Sequence, residues 1–344
     1  MNTQKVSLIC LLLLLVFGTV ADAKIVFSSY RDGVQGIYVI DDDGSNETLL
    51  LTGDRWTVYP ECWSPNGQWI LFESWATGPA LMRPDGTNIR ELELEGLPDG
   101  VSSIGRMSFS PDSRSIVFNM TVRIDNKEKK SVNVLNIETG QLEKIADVSA
   151  IFCDWSPDGK SIVYTEPGVA GRVGGTLWIM GADGHRPRQL LPPPGRGRFK
   201  APRWSPDGTR IVYLHDEYVW ERPQPLAALT LIYKAHRYLI CDRNGKNIKR
   251  LQIPKDWRPL QIDWMDDGKS VVFSAYVGLE LDKLAPPNDE FPPANIYKYH
   301  LKTHEITQLT NHPGNDDSLD WISDDVLSVT PVGKKKVTWG AIKE

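Results

Sequence analysis

The sequence predicts an all-β chain folded as a six-bladed β-propeller, with seven blades as the alternative count. Three observations carry this. An aromatic-Ser-Pro-Asp-Gly motif recurs along the chain, a β-branched alternating run follows each copy, and a Gly-containing hairpin turn follows that. The motif reads WSPNG at Trp63, FSPDS at Phe109, and WSPDG at Trp155 and Trp204. Weaker copies, WMDDG and WISDD, begin at Trp264 and Trp321. Periods of about 40–50 residues with several short strands each are the signature of propeller blades.

Each repeat justifies four strands in order. The aromatic ends the first strand, and the turn follows because Pro presets φ, Asp accepts local hydrogen bonds and Gly tolerates positive φ. Trp69-Ile70-Leu71-Phe72, Ile116-Val117-Phe118, Ile162-Val163-Tyr164, Ile211-Val212-Tyr213 and Val271-Val272-Phe273 form the second strands by β-propensity. Third strands such as Ile37 to Ile40 and Leu177 to Met180 end in hairpin turns at Asp43-Gly44, Asp85-Gly86, Thr139-Gly140, Asp183-Gly184 and Asn244-Gly245. Fourth strands close each unit, for example Glu47 to Leu51, Arg188 to Leu191 and Ile306 to Leu309. Five units are complete. The stretch from Ile25 to Thr52 lacks a first strand, which Leu319 to Ile322 supplies, so the two chain ends close one blade. Val326 to Ile342 contains two further strand-like pieces that would instead begin a seventh blade.

The turn motif, the Ile-Val-Phe/Tyr strand and the Asp-Gly hairpin together resemble the repeats of the TolB-like propeller family, from Lys24 to about Asp325. The resemblance implies the fold and little about activity. TolB proteins carry an additional α/β domain ahead of the propeller, for which this chain leaves no room, so their envelope-complex role is not carried over.

Residues 1–23 read as a secretory signal peptide. Lys5 is the positive start, Leu8 to Val20 the apolar run, and Ala21-Asp22-Ala23 the small-residue cleavage site. The remainder, 24–344, is expected to be one exported propeller domain, periplasmic or extracellular, with no later span and monomeric. A formal net charge of −5 argues against nucleic acid as a partner. Cys62, Cys153 and Cys241 are an odd set without a CxxC pair, read as buried thiols.

Blade topology sorts the loops by face. The Ser-Pro-Asp-Gly and Asp-Gly turns share one face and are short. Connections between second and third strands, and between blades, lie on the other face and hold the long insertions: Leu214 to Ala235, Ala275 to Ala294 and Arg123 to Lys130. Ligand-binding candidates therefore collect there. Arg196, Arg198, Lys200 and Arg203 in the loop Pro192 to Arg203 suit a carboxylate, sulfate or phosphate. Tyr218, Trp220 and Arg222 lie in the next insertion, and Trp56, Tyr59 and Trp257 are aromatics in blade-joining loops. His215, His236 and His312 are weak candidates for a metal site, since nothing fixes their separation.

Other motifs read as structure. Asp41 to Asn46 resembles part of a calcium loop but lacks its terminal Glu and falls at a hairpin turn. No GxSxG elbow or phosphate-binding Gly motif occurs, and no cofactor is predicted. Asn46 and Asn119 begin glycosylation sequons. The expected function is non-enzymatic binding of a protein partner or cell-envelope glycan. The alternative is a metal-dependent lyase or hydrolase of acidic oligosaccharides, and no catalytic residue is assigned.

Overall fold

Strand alternation explains how one repeat unit builds a closed ring. In each second strand, successive residues point to opposite faces of the blade. Ile70 therefore packs toward one neighbouring blade and Leu71 toward the other, while Val163 and Tyr164 split in the same way. The computed structural model describes residues 24–53, 58–74, 78–94, 96–168, 175–221, 230–282 and 292–329. Among them are six four-stranded antiparallel sheets.

Blade 1 contains β1 (Lys24–Arg31), β2 (Val34–Asp41) and β3 (Thr48–Gly53). Blade 2 holds β4 (Val58–Trp63), β5 (Ile70–Ser74), β6 (Gly78–Met82) and β7 (Arg90–Glu91). Blade 3 holds β8 (Val101–Phe109), β9 (Ser115–Ile124), β10 (Lys127–Asn136) and β11 (Leu142–Ala146). Blade 4 is β12 (Ile151–Trp155), β13 (Ser161–Glu166), β14 (Thr176–Gly181) and β15 (Arg188–Gln189). Blade 5 is β16 (Arg198–Trp204), β17 (Arg210–Glu221), β18 (Thr230–Asp242) and β19 (Lys249–Arg250). Blade 6 is β20 (Arg258–Met265), β21 (Ser270–Tyr276), β22 (Ala294–His300) and β23 (Ile306–Gln308). Finally β24 (Asp316–Ile322) pairs with β1, Trp321 opposite Ile25, and closes blade 1 as the sequence predicts.

Six blades is the answer, and the rival seventh fails for a local reason. Val326, where the rival count would start it, lies in a short helix, α1 (Asp324–Val329). Residues 330–344 lie outside the described residues, as do 1–23 with the signal-peptide reading.

The core is distributed rather than central. Each of the six apolar clusters lies between two consecutive blades, and the cluster of Ile25, Phe27 and Leu319 with Val272 and Ile296 completes the circle. Hydrogen bonds tie the inner strands across the same gaps. Trp204 N donates to Asp154 Oδ2 at 2.7 Å and Trp63 N to Asp320 Oδ2 at 2.6 Å.

The repeated turn is self-satisfying. In blade 4, Ser156 Oγ donates to Asp158 Oδ1 at 2.7 Å and accepts from Ser161 N at 2.9 Å, while Gly159 N closes on Ser156 O. These bonds, chiefly the one from Ser156, hold Asp158 below the usual carboxylate range. The serine is turn chemistry. Blade 3 replaces the glycine with Ser113 at φ 61°, a left-handed conformation that costs a side chain about 1 kcal/mol. Its Oγ accepts from Asn66 N of the neighbouring blade at 3.0 Å, which offsets that cost.

Candidate functional site

Two of the predicted insertions turn out to be extensions of strands. Arg123 to Lys130, read as a polar loop, is a hairpin continuing β9 into β10 through Asp125 and Asn126, both at positive φ. Leu214 to Ala235 is largely the same device. β17 and β18 stay paired from Arg210↔Asp242 out to Glu221↔Thr230, so blade 5 carries a hairpin that rises well beyond the strands beside it. Residues 222–229 at its tip, with Arg222, lie outside the described residues, as does Trp56.

A buried charge cluster fixes the base of this hairpin. The Asp216 side chain is fully buried, with His236 Nδ1 at 2.9 Å from Oδ1 and Lys200 Nζ at 2.9 Å from Oδ2. Lys200 also donates to Pro259 O in blade 6 at 3.1 Å, and Arg198 Nε approaches Asp216 at 3.5 Å from a half-exposed position. Burial alone would raise Asp216, yet Lys200 and His236 hold it well below the usual carboxylate range. Burial lowers His236 despite Asp216, so the ring is neutral near pH 7. One carboxylate thus serves three basic side chains, and the local balance is positive.

Aromatic side chains line the hairpin above the cluster. Tyr233 lies tilted against His236 at 4.9 Å, meets Tyr218 edge-on at 6.0 Å, and carries the Arg258 guanidinium 4.7 Å from its ring centre. Tyr218 meets Trp220 at 6.3 Å, and Trp220 is 50% exposed. The result is an aromatic ladder with Arg198 and Arg258 at its foot. Such a surface can hold an anionic group between guanidinium donors while a sugar ring or peptide covers the aromatics.

The other sequence candidates fall elsewhere. Arg196 is exposed, and its carbonyl meets His215 Nε2 at 2.8 Å. Arg203, grouped with these residues by sequence, is at the far end of β16. It lies five positions on from Arg198, beyond an irregularity in the strand after Lys200, and is buried against Asp154 at 3.2 Å. Trp257 packs on Tyr297 at 4.8 Å and Phe273 at 6.4 Å within a blade interface, and Tyr59 is part-buried in β4. His215 faces Arg237 across the hairpin while His236 faces Asp216, so strand alternation turns the two rings to opposite faces. His312 Nδ1 accepts from Gly314 N at 2.9 Å. The residues do not fit a three-histidine metal site, and among the described residues no group of three His, Cys, Asp or Glu can hold a metal ion. Asp41 to Asn46 forms a closed hairpin turn in which Asn46 Nδ2 donates to Asp41 at 2.7 Å. All three described cysteines are buried free thiols, with burial pushing Cys153 and Cys241 up to about 12.

Sequence reasoning missed a second feature, the mouth of the central channel on the short-turn face. The residue immediately before each repeat aromatic lines it: Cys62, Ser108, Asp154, Arg203, Asp263 and Asp320. They floor a cavity of about 410 Å³ walled by Trp63, Phe109, Trp155, Trp204, Trp264 and Trp321. Burial, and after it the neighbouring Asp263, push Asp320 well above the usual carboxylate range. The signal was available in the column preceding the repeated aromatic.

No family model matches the chain. An uncharacterised protein of Agrobacterium fabrum is 26% identical over 153 residues, covering 40% of this chain and 49% of the relative. TolB from Acinetobacter baumannii superposes with a TM-score of 0.63 at 15% identity, over 87% of this chain and 66% of that one. A TolB-type protein from Agrobacterium tumefaciens gives 0.57 at 16% identity, over 85% and 90%. An oligogalacturonate lyase in complex with manganese gives 0.55 at 15% identity, over 84% and 74%. The chain thus spans about half of the curated relative and about two thirds of the first TolB. The TolB-like propeller fold is shared.

Proposed function

We propose that this chain is an exported binding propeller, without catalytic activity, that captures a protein partner or cell-envelope glycan through an anionic group at the blade 5 hairpin. The observation that carries this reading is the hairpin itself. It is the longest strand pair described, it stands on a buried Asp216–Lys200–His236 cluster, and it presents Tyr218, Tyr233 and a half-exposed Trp220 beside Arg198. Burying that many charges is costly unless they hold a specific geometry, and here the geometry holds the hairpin upright. The apolar leader and its small-residue cleavage site support export. No helix among the described residues is long and apolar enough to cross a membrane.

Likeness to oligogalacturonate lyases favours an acidic oligosaccharide lyase as a second reading. His215 and His236 do not converge, so no catalytic step is assigned to them.

Chemical cross-linking in an envelope extract tests the first reading. The wild-type chain should capture a discrete partner or glycan that Trp220→Ala and Arg198→Ala both lose, with unchanged thermal unfolding. Capture unaffected by both substitutions sinks the hairpin as the binding element. Formation of unsaturated uronate ends from trigalacturonate would put the second reading first.

A further inference from the structure

We propose that the outer edge of blade 3 is a docking site for an extended peptide segment of alternating apolar and acidic residues, added as a further strand beside β10. β10 pairs with β9 along its whole length, from Lys127↔Ile124 to Asn136↔Ser115. Its outer neighbour β11 pairs only with Val132 to Leu135. Lys127 to Ser131 therefore present a strand edge with no ladder partner among the described residues. An open edge of backbone donors and acceptors is a template for another strand.

Most exposed edges are blunted, and this one adjoins a groove. A cavity of about 390 Å³ lies against it, lined by Met120, Val122, Ile124 and Leu142, with Gly96 and Pro98 closing one side. Alternation puts Met120, Val122 and Ile124 on the same face of β9, across from Ser131, Lys129 and Lys127. Ile124 is 46% exposed and carries the apolar face of Met120 and Val122 out to the end of the hairpin. The groove accepts every second side chain of an added strand.

Charge selects the occupant. The lining carries Lys129, Lys130 and Lys144 against Asp147 alone. Lys144 is paired with Asp147 at 2.8 Å and Lys130 lies 3.9 Å from Glu128, whereas Lys129 makes no ion pair among the described residues. An added strand with acidic residues between its apolar ones meets this rim favourably, and a basic one is repelled. The site lies on a different blade from the hairpin of blade 5 and does not depend on it.

The probe is an acetylated heptapeptide of alternating glutamate and leucine, titrated into the full chain by fluorescence anisotropy. Two further peptides are methylated on the amides of either all leucines or all glutamates. Strand addition uses one set of amides, so one methylated peptide should lose binding and the other keep it. The amides of Lys127 to Ser131 should become protected from hydrogen exchange, and Lys129→Glu should weaken binding roughly tenfold. Equal binding of both methylated peptides, no protection of those amides, or no binding at millimolar peptide would overturn the proposal.

Discussion

The two ends of blade 5 are made by the same strands and built on opposite principles. At one end, Ser205 to Gly208 closes β16 onto β17 with bonds found in the other blades: Ser205 Oγ to Asp207 at 2.6 Å and Arg210 N to Ser205 Oγ at 2.9 Å. At the other end, β17 and β18 run past the ring and are held by a cluster that occurs nowhere else among the described blades. The repeated end bonds to itself and to the next blade, and it closes the ring. The unrepeated end adds charge and exposed aromatic surface that the ring does not need for closure. Departure from the repeat marks where function is to be sought.

The largest effects are expected in stability, at one residue from each end. Trp204 packs between blades 4 and 5, so Trp204→Ala should cost about 3–5 kcal/mol by urea denaturation, in line with other buried aromatics. Asp216→Ala should be comparably costly, about 3–5 kcal/mol, because Lys200 is left buried without its carboxylate. A mild Asp216→Ala protein would mean that the hairpin base is wet and the cluster loosely held.

Acid distinguishes the ends by a smaller amount. His236 and His215 are lowered by burial below 6.5, so the unfolded chain takes up protons first. Stability from keeping these rings neutral is complete above about pH 6.5 and is lost as pH falls through their lowered folded values. Asp158 at the repeated end is also lowered, and its contribution disappears only below the carboxylate range. The urea midpoint should therefore drop between about pH 7 and pH 5, and His236→Gln should reduce that drop. A midpoint flat across this interval would show that both histidines titrate as they do in water.

The ring was legible because repetition amplifies weak signals. A single Ser-Pro-Asp-Gly is an ordinary turn, but copies at Trp155 and Trp204, each followed by a β-branched strand, define a blade and its direction. The sequence also located the closing strand, since β24 begins just ahead of the Leu319 to Ile322 segment. The site was only partly legible. Arg198 and Lys200 on β16 do gather with Tyr218, Trp220 and His236 of the neighbouring hairpin. Arg203 does not, because proximity along an extended strand is distance in space. Trp257 looked like a free platform because sequence cannot show that Tyr297 and Phe273 already cover it. Asp216 was overlooked as the centre of the cluster, since a buried carboxylate in a polar insertion carries no local mark until its register with His236 is known.

Trp220→Ala should leave stability within about 0.5 kcal/mol, as its ring is half in solvent. That separation of binding from folding leads to the most direct test. Hydrogen exchange should be mapped over the full chain with and without the cross-linked partner or glycan. The account predicts protection concentrated at Arg198, Tyr218 to Trp220 and Leu231 to Lys234, with the channel mouth around Trp63, Trp204 and Trp321 unchanged. Protection at the channel mouth, with the blade 5 hairpin exchanging as in the free protein, would contradict it.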